Sequence, residues 1–196
     1  MVTARSIQLV AGPMNARVRA ILIIAAVVLL DRVTKMYIRV HVSPFDLFPV
    51  IPGFFNIIHV ENPGAAFGMF SETAGQWKTV FLVGVSVVVL IVIAGMLFRK
   101  PAAGAAHSAL TQTGLALVFG GALGNLWDRA FSENHTVTDF LQFFFGSYEY
   151  PSFNAADSAI FCGAALLLID LWRSRKGTAD RGQGTADRGV GSGADS

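Results

Sequence analysis

Two aspartates in the second half of the chain have the residue type and the surroundings that acid–base chemistry requires. Asp139 lies in the segment VTDFLQF, and Asp157 lies in FNAADSAI, at the start of an apolar run. Two carboxyl groups held close together cannot both ionise cheaply, so such a pair shares one proton. One member can then act as a general base toward water while the other acts as a general acid toward a scissile amide. The spacing alone does not show that these two side chains meet.

Other chemistries have weaker support in the sequence. The histidines are scattered, no HExxH motif is present, and His135 with Asp139 would give a metal ion only two ligands. A serine nucleophile such as Ser158 needs a hydrogen-bonded base, and nothing local couples it to Lys35. We therefore expect neither a metal nor a cofactor, and the carboxylate pair is the best candidate.

The composition predicts a membrane protein. Of the 196 residues, 53% are hydrophobic and only 14% are charged, whereas soluble domains carry about 25% charged residues. Apolar runs near the roughly 20 residues that a transmembrane helix needs predict spans at about 18–37, 79–98, 109–127 and 154–172. The first run is short enough to be a secretory signal peptide, but Asp31, Arg32 and Lys35 follow it in place of a small-residue cleavage site, which favours a retained helix.

The lysines and arginines are distributed so that both chain ends are predicted to be cytoplasmic. There is no lysine or arginine between Arg39 and Lys78, and none between Ala130 and Trp172. Because cytoplasmic loops retain positive charge, the loops 41–77 and 130–153 are predicted to face outward. The net charge of +2 gives no sign of a nucleic-acid partner.

The two ends of the chain and its single cysteine are not expected to take part in the chemistry. Residues 177–196 are glycine-rich and repeat GTADRGQ as GTADRGV, which predicts a disordered tail after a membrane domain at 1–176. Met14 is an alternative start. Cys162, the single cysteine, lies in an apolar run and is expected to be a buried small side chain without a disulfide.

The polar residues near the predicted spans gather at the outer side of the membrane. They are Asp31 and Lys35, Glu61 and Asn62, Asn125, Asp128 and Arg129, Asp139, and Asn154 and Asp157. Helix ends often carry interfacial charges, but ionisable groups within a membrane are costly and usually functional. Only Asp170 and flanking bases lie at the other side, so the distribution favours a site at the outer face.

Five blocks of the chain, in this order, resemble the lipoprotein signal peptidases of bacteria, also called signal peptidase II. The blocks are DRVTK (31–35), NPGAAFG (62–68), GGALGNLWDR (120–129), VTDF (137–140) and FNAAD (153–157). Each falls at an expected span end. Trp127, where the family more usually has an aliphatic residue, and Thr138 are small departures, and neither removes a catalytic group.

The resemblance implies a membrane aspartyl endopeptidase of the bacterial inner membrane, a monomer that acts on lipidated prolipoproteins among membrane lipids. It would remove the signal peptide at the lipobox cysteine after diacylglyceryl modification. The implied fold class is an all-α polytopic membrane protein with four transmembrane helices, a small extracytoplasmic β-cradle and a short amphipathic segment. The loop 41–77 suits the cradle, because its segment FFNIIHVEN (54–62) is rich in aromatic and β-branched residues.

The resemblance also implies a role for each matching residue. Asp139 and Asp157 would be the catalytic dyad. The substrate-binding residues would be Asn62, Gly64, Gly121, Asn125, Arg129 and Asn154, and the supporting residues would be Asp31, Lys35, Asp128 and Ala156.

Some of these roles have alternatives. Arg129 could pair with Asp128 or Asp157, since buried charges need partners. Glycines 120, 121 and 124 would permit close helix approach or leave room for lipid. The run Phe143–Phe145 could lie at the headgroup level or in the core.

Two other classes of function are weighed against a peptidase. A proton-coupled carrier would need charged groups near the midplane, and the second and third spans lack interior charges. A non-enzymatic scaffold subunit would have no need for both aspartates.

Overall fold

The described part of the chain is a helical bundle with a small sheet at one end. This computed structural model describes residues 14–64, 76–99 and 108–190, with the backbone alone for residues 76 and 177–190. Its helices are α1 (Ala16–His41), α2 (Gln76–Phe98), α3 (Ala109–Phe131) and α4 (Ala155–Val190). Its strands are β1 (Leu47–Ile51), β2 (Phe55–Asn62), β3 (Val137–Phe145) and β4 (Tyr148–Phe153). The helix α3 is central and packs against the other three helices.

The helices coincide with the four predicted spans, but they differ in how apolar they are. In the described residues, the segments Trp77–Phe98 and Ala155–Lys176 are long and apolar enough to cross a membrane. The helices α1 and α3 do not meet this criterion. The helix α1 carries several charged residues, such as Asp31 and Lys35, and α3 contains many glycines and polar residues, such as Gln112 and Asn125. Crossing of the membrane by α1 and α3 stays a prediction.

Local capping defines the starts of α1 and α3. The side chain of Asn15 accepts a hydrogen bond from the backbone N–H of Arg17, and the side chain of Ser108 accepts one from Thr111. Such caps satisfy backbone donors that the first helical turn leaves without partners. Both helices also run past the predicted span ends, to His41 and Phe131.

The two loops predicted to face outward supply the sheet, which is antiparallel with the strand order β1-β2-β3-β4. The strand predicted over FFNIIHVEN is confirmed as β2. The all-α description is too simple, because the loop 130–153 contributes two further strands that the sequence analysis missed. Phe143 stacks on Phe55 with ring centroids 4.6 Å apart, whereas Phe145 is 58% exposed, so the aromatic run divides between packing and surface.

Small residues bring α3 very close to α4 and α1. A Cβ at Gly114 would lie 2.9 Å from the carbonyl oxygen of Gly163, and a Cβ at Gly124 would lie 2.6 Å from Oδ2 of Asp31. A Cβ at Gly121 would collide with the carbonyl oxygen of Ala156. The structure therefore places Gly121, a predicted substrate-binding residue, in a helix contact, and it lines none of the described cavities.

Several expectations about the exterior need correction or lie outside the described residues. Cys162 is exposed rather than buried, because the rest of the bundle leaves this side of α4, which also carries the exposed Phe161, uncovered. Trp127 is likewise 49% exposed. The helix α4 continues to Val190, into the predicted tail, whose disorder stays a prediction. Residues 1–13, and residues 65–68 of the block NPGAAFG, lie outside the described part of the chain.

Replacing Gly121 with alanine is expected to lower the thermal unfolding temperature of the detergent-solubilised protein. The added Cβ would lie 2.8 Å from Cγ1 of Ile160 as well as against Ala156, and overpacking of this kind costs about 1–3 kcal/mol. Gly95→Ala is the matched control, because no described atom lies within 4 Å of its Cβ position. Equal unfolding temperatures for the two variants would contradict the close contact of α3 with α4.

Candidate active site

Asp139 and Asp157 line one cavity between the sheet and the helix bundle. The cavity has a volume of about 240 Å³. Asp139 projects from β3 and is 2% exposed, while Asp157 belongs to the first turn of α4. Five of the six predicted substrate-binding residues also line it or bond to the two aspartates: Asn62, Gly64, Asn125, Arg129 and Asn154.

Asn154 connects the two aspartates. Its Nδ2 donates to Oδ1 of Asp139 at 2.7 Å, and its Oδ1 accepts from the backbone N–H of Asp157 at 3.0 Å. The backbone N–H of Asn154 donates in turn to Oδ2 of Asp157 at 3.2 Å. This reciprocal pair of bonds is a capping box. The side chains of Asn154 and Asp157 therefore both start the helix α4 and fix the orientation of the Asp157 carboxylate.

Asn125 holds the other oxygen of Asp157. Its Nδ2 donates to Oδ1 of Asp157 at 2.7 Å, and its Oδ1 accepts from Nζ of Lys35 at 2.9 Å. An ammonium group can only donate hydrogen bonds. Lys35 therefore fixes which end of the Asn125 amide faces Asp157.

Asn62 holds the second oxygen of Asp139. Its Nδ2 donates to Oδ2 of Asp139 at 2.8 Å, and its Oδ1 accepts from the backbone N–H of Gly64 at 2.8 Å. A bulge in β2 between Ile57 and Val60 makes this possible. Without the extra residue the register would shift by one, and the neighbouring side chain of β2 would face Asp139 in place of Asn62.

The surroundings of Asp139 favour its protonated form. Burial raises the pKa of Asp139 to about 6, and the charge of Asp157 acts in the same direction. The hydrogen bonds from Asn62 and Asn154 and the charge of Lys35 oppose this rise without cancelling it. Asp139 consequently retains a proton at a pH where an ordinary aspartate has lost it.

A buried ion-pair cluster lies beneath the cavity. Lys35 and Asp31 are fully buried, and Nζ of Lys35 lies 2.9 Å from Asp31 and 2.7 Å from Asp128. Oδ1 of Asp31 accepts from the backbone N–H of Ala156 at 3.1 Å. Arg32 and Arg39 of α1 also bind Asp128. These residues line none of the described cavities. Their bonds connect α1 to α3 and to α4, which indicates a structural role.

Arg129 faces the cavity. Within the described residues the one hydrogen bond of its side chain is a long one, 3.5 Å from Nη1 to the carbonyl oxygen of Asn125, and the side chain forms no ion pair. The pairing of Arg129 with Asp128 that the sequence left open is therefore absent there, because α1 supplies the partners of Asp128. Arg129 also borders a second cavity, of about 510 Å³, along α2.

An apolar cavity adjoins the site on the side of β4. It has a volume of about 390 Å³ and its lining includes Asp157 and Ser158. The remaining lining residues are Phe143, Phe145, Tyr150, Phe153, Phe161 and Cys162. The sequence analysis missed the contribution of β4, although Gly146 between aromatic runs is a hairpin signal and has a φ of +65°.

The alternative chemistries have no matching geometry. Oγ of Ser158 donates to the carbonyl oxygen of Asn154 at 2.9 Å, and Lys35 is occupied by its carboxylate partners. Nδ1 of His135 contacts the carbonyl oxygen of Arg129 at 2.9 Å. The described residues contain no group of three or more His, Cys, Asp or Glu side chains able to hold a metal ion.

The fold is that of bacterial membrane enzymes. Two structures of such enzymes, solved by the in meso method at 2.3 Å and 1.9 Å resolution, superpose on this chain with TM-scores of 0.67 and 0.66. They are 32% and 34% identical in sequence and cover 80% and 78% of this chain. The superposition takes in 89% and 92% of their own chains.

The sequence comparisons define the family. The family model for signal peptidase (SPase) II matches residues 23–173. The lipoprotein signal peptidase of Solibacter usitatus is 42% identical over 166 residues, which are 85% of this chain and 98% of that protein. The one from Maridesulfovibrio salexigens is 40% identical over 162 residues, 83% of this chain and 100% of that protein. The chain belongs to the signal peptidase II family, a family of proteases in lipoprotein processing, and the resemblance found in the sequence is confirmed.

The raised pKa of Asp139 predicts how the stability of the protein depends on pH. The folded protein binds this proton more tightly than the unfolded chain, whose carboxyl has a pKa of 3.8. The stabilisation is therefore fully present below that value and is lost as the pH rises through about 6. The free energy of unfolding should fall by on the order of 1–3 kcal/mol across this window.

Asp139→Asn should lack this component, which unfolding curves of both proteins in detergent at several pH values would measure. Parallel pH profiles of the wild type and the variant would contradict the raised pKa.

Proposed function

We propose that this chain is an intramembrane aspartyl endopeptidase that removes the signal peptide from diacylglyceryl-modified prolipoproteins at the lipobox cysteine. The observation that carries the proposal is the cavity that Asp139 and Asp157 share, with Asn154 bonded to both. Family membership supports the processing of prolipoproteins, and the carboxylate pair supports the aspartyl mechanism. In this proposal the peptidase domain is residues 1–176.

The two aspartates divide the chemistry by their surroundings. Asp157 removes a proton from a water molecule held between the carboxyl groups, and the water oxygen attacks the carbonyl carbon of the scissile amide. Asp139, whose pKa of about 6 favours the protonated form, donates its proton to the carbonyl oxygen. Asp157 then gives the proton it took from water to the amide nitrogen, and Asp139 takes back a proton from the gem-diol as the C–N bond breaks. The signal peptide leaves with the new carboxyl group, the lipidated cysteine keeps the new amine, and both aspartates regain their starting protonation states.

The other cavity residues bind the substrate backbone. A helical amide hides its N–H and C=O groups in helical hydrogen bonds, so the signal peptide must unwind at the scissile bond. Freed backbone groups are tolerated at membrane depth only where protein or water satisfies them. Arg129 faces the cavity without an ion-pair partner in the described residues, and its guanidinium donates to a substrate carbonyl oxygen.

The two flanking cavities take the apolar parts of the substrate. One lies along α2 at Val80 and Val83, and the other is lined by aromatic residues of β3, β4 and α4. Both adjoin the polar cavity, because Arg129 lines the first and Asp157 the second in addition to it. A substrate that already lies in the bilayer can therefore reach the carboxylates laterally, without extraction.

The proposed location is the bacterial inner membrane, with four spans, both termini cytoplasmic and the site at the outer face. The loops that form the sheet contain no lysine or arginine between Arg39 and Lys78 or between Ala130 and Trp172, as the positive-inside rule requires of external loops. Exposed apolar side chains on α2, such as Val80 at 68% and Ile91 at 66%, support contact with lipid tails. The proposed working form is a monomer, which is supported by the proposed catalytic groups Asp139 and Asp157 lining one cavity of a single chain.

Asp139→Asn and Asp157→Asn should each abolish cleavage of a lipidated prolipoprotein in detergent. General acid–base groups contribute about 10²–10⁴-fold to a rate, and each variant removes one of the two. Both proteins should still insert into membranes and unfold cooperatively. Glu133→Gln is the control, because it removes an exposed carboxylate from the same outer loop. Full activity of either aspartate variant would remove the dyad assignment.

A further inference from the structure

The residue before Asp139 occupies the opposite face of β3 and lies in a separate polar cluster. Successive side chains of a strand point to opposite faces, so Thr138 points away from the cavity into which Asp139 projects. Thr138 is fully buried. Its hydroxyl accepts from Nε of Arg39 at 2.7 Å and donates to Oε1 of Glu61 at 2.8 Å. These two bonds join β3 to α1 and to β2.

The direction of each bond in this cluster is fixed. An arginine can only donate, so the single hydroxyl proton of Thr138 goes to Glu61, which must accept it. Burial alone would raise the pKa of Glu61, but the hydrogen bonds from Thr136, His59 and Thr138 and the charge of Arg39 outweigh it and lower the pKa. Glu61 is therefore an anion at neutral pH, and both bonds of Thr138 are charge-assisted, the stronger class.

The same cluster continues to the other catalytic carboxylate. Nη2 of Arg39 donates to Oδ1 of Asp128 at 3.2 Å, and Asp128 forms its ion pair with Lys35 at 2.7 Å. Lys35 donates to Asn125, which donates to Asp157. A continuous series of polar contacts thus begins behind one carboxylate of the dyad and ends on the other.

We propose that Glu61, Thr138 and Arg39 are positioning residues that set where Asp139 stands relative to Asp157. They line none of the described cavities, and they act through the backbone of β3 and through Asp128. An anchor on one face of a strand fixes the tilt of the side chain on the other face. Catalysis of this type tolerates little displacement, since a misplacement of about 1 Å costs about 10²-fold in rate. This inference rests on the proposed peptidase function.

The test compares Thr138→Val with Thr138→Ser in the full-length protein, using a synthetic lipidated precursor peptide. Valine keeps the shape and removes the hydroxyl, so kcat should fall about 10- to 100-fold while KM stays close to that of the wild type. Serine keeps the hydroxyl and should restore kcat. A purely structural role would change the folded fraction and would leave kcat per folded molecule unaltered.

Thr136→Val is the matched control. Thr136 donates to the other oxygen of the same carboxylate, Oε2 of Glu61, at 2.6 Å, but the described structure gives it no bond to Arg39. It removes a hydroxyl bonded to the same carboxylate, should lower thermal stability less than Thr138→Val because its bond is exposed, and should leave kcat unchanged. Equal kcat values for Thr136→Val and Thr138→Val, or a loss that serine does not restore, would overturn the proposal.

Arg39→Lys provides a second route if Thr138→Val does not fold. Lysine keeps a positive charge beside Asp128 and loses the Nε donor to Thr138, so kcat should again fall with KM unchanged. A wild-type kcat in Arg39→Lys would overturn the proposal. If the wild type does not cleave the lipidated peptide, the peptidase function itself fails; if it does and Thr138→Val cleaves equally fast, only the positioning role fails.

Discussion

The arrangement of the site depends on one fully buried ammonium group, that of Lys35. A buried charge is costly unless it is paired and hydrogen-bonded, and Nζ of Lys35 meets Asp31, Asp128 and Asn125 at distances of 2.7 to 2.9 Å. Because its partners lie on both α1 and α3, the pairing fixes the separation and rotation of these two helices. It also sets the Asn125 amide in the one orientation that donates to Asp157.

A second consequence of the same cluster is the start of α4. Asp31, held by Lys35, accepts the backbone N–H of Ala156, and the capping box of Asn154 with Asp157 completes the first turn. Glycines at the helix contacts allow this approach, because a side chain at Gly124 would meet Asp31 itself. The polar cluster and the glycines therefore depend on each other. The glycines allow the helices to pack closely, and this close packing buries the charged groups of the cluster.

Asp139 differs from the carboxylates of the cluster around Lys35 in what surrounds it, because its hydrogen-bond partners are neutral amides, whereas Asp31 and Asp128 are paired with cations. Both oxygens of Asp139 accept amide hydrogen bonds, which favour the anion, yet burial outweighs them and the pKa rises to about 6. No cation lies within ion-pair distance of Asp139 among the described residues. A carboxyl that costs stability when ionised is unfavourable for folding and useful for proton transfer near neutral pH, a trade-off expected at active sites.

The sequence predicted the helices and the strand β2, because these depend on local patterns. Blocks shared with a family singled out Asp139 and Asp157, and the structure places both in one cavity; their catalytic role stays a prediction. It did not predict β3 and β4, since Thr138, Asp139 and Gln142 fall in β3 without the strict alternation that marks a half-buried strand. The prediction that Cys162 is buried was wrong, because an apolar run does not show which of its side chains the rest of the bundle covers. The partners of Asp128 and the role of Gly121 depend on contacts between helices far apart in the chain, and no spacing within one helix encodes them.

The distance between the nearest carboxylate oxygens of Asp139 and Asp157, in an experimental structure that resolves ordered water, tests the central claim most directly. An oxygen from each residue should lie within hydrogen-bond distance, about 2.6–3.2 Å, of a single water molecule in the shared cavity. Carboxyl groups too far apart for one water to bridge, or turned toward separate compartments, would contradict the proposed chemistry.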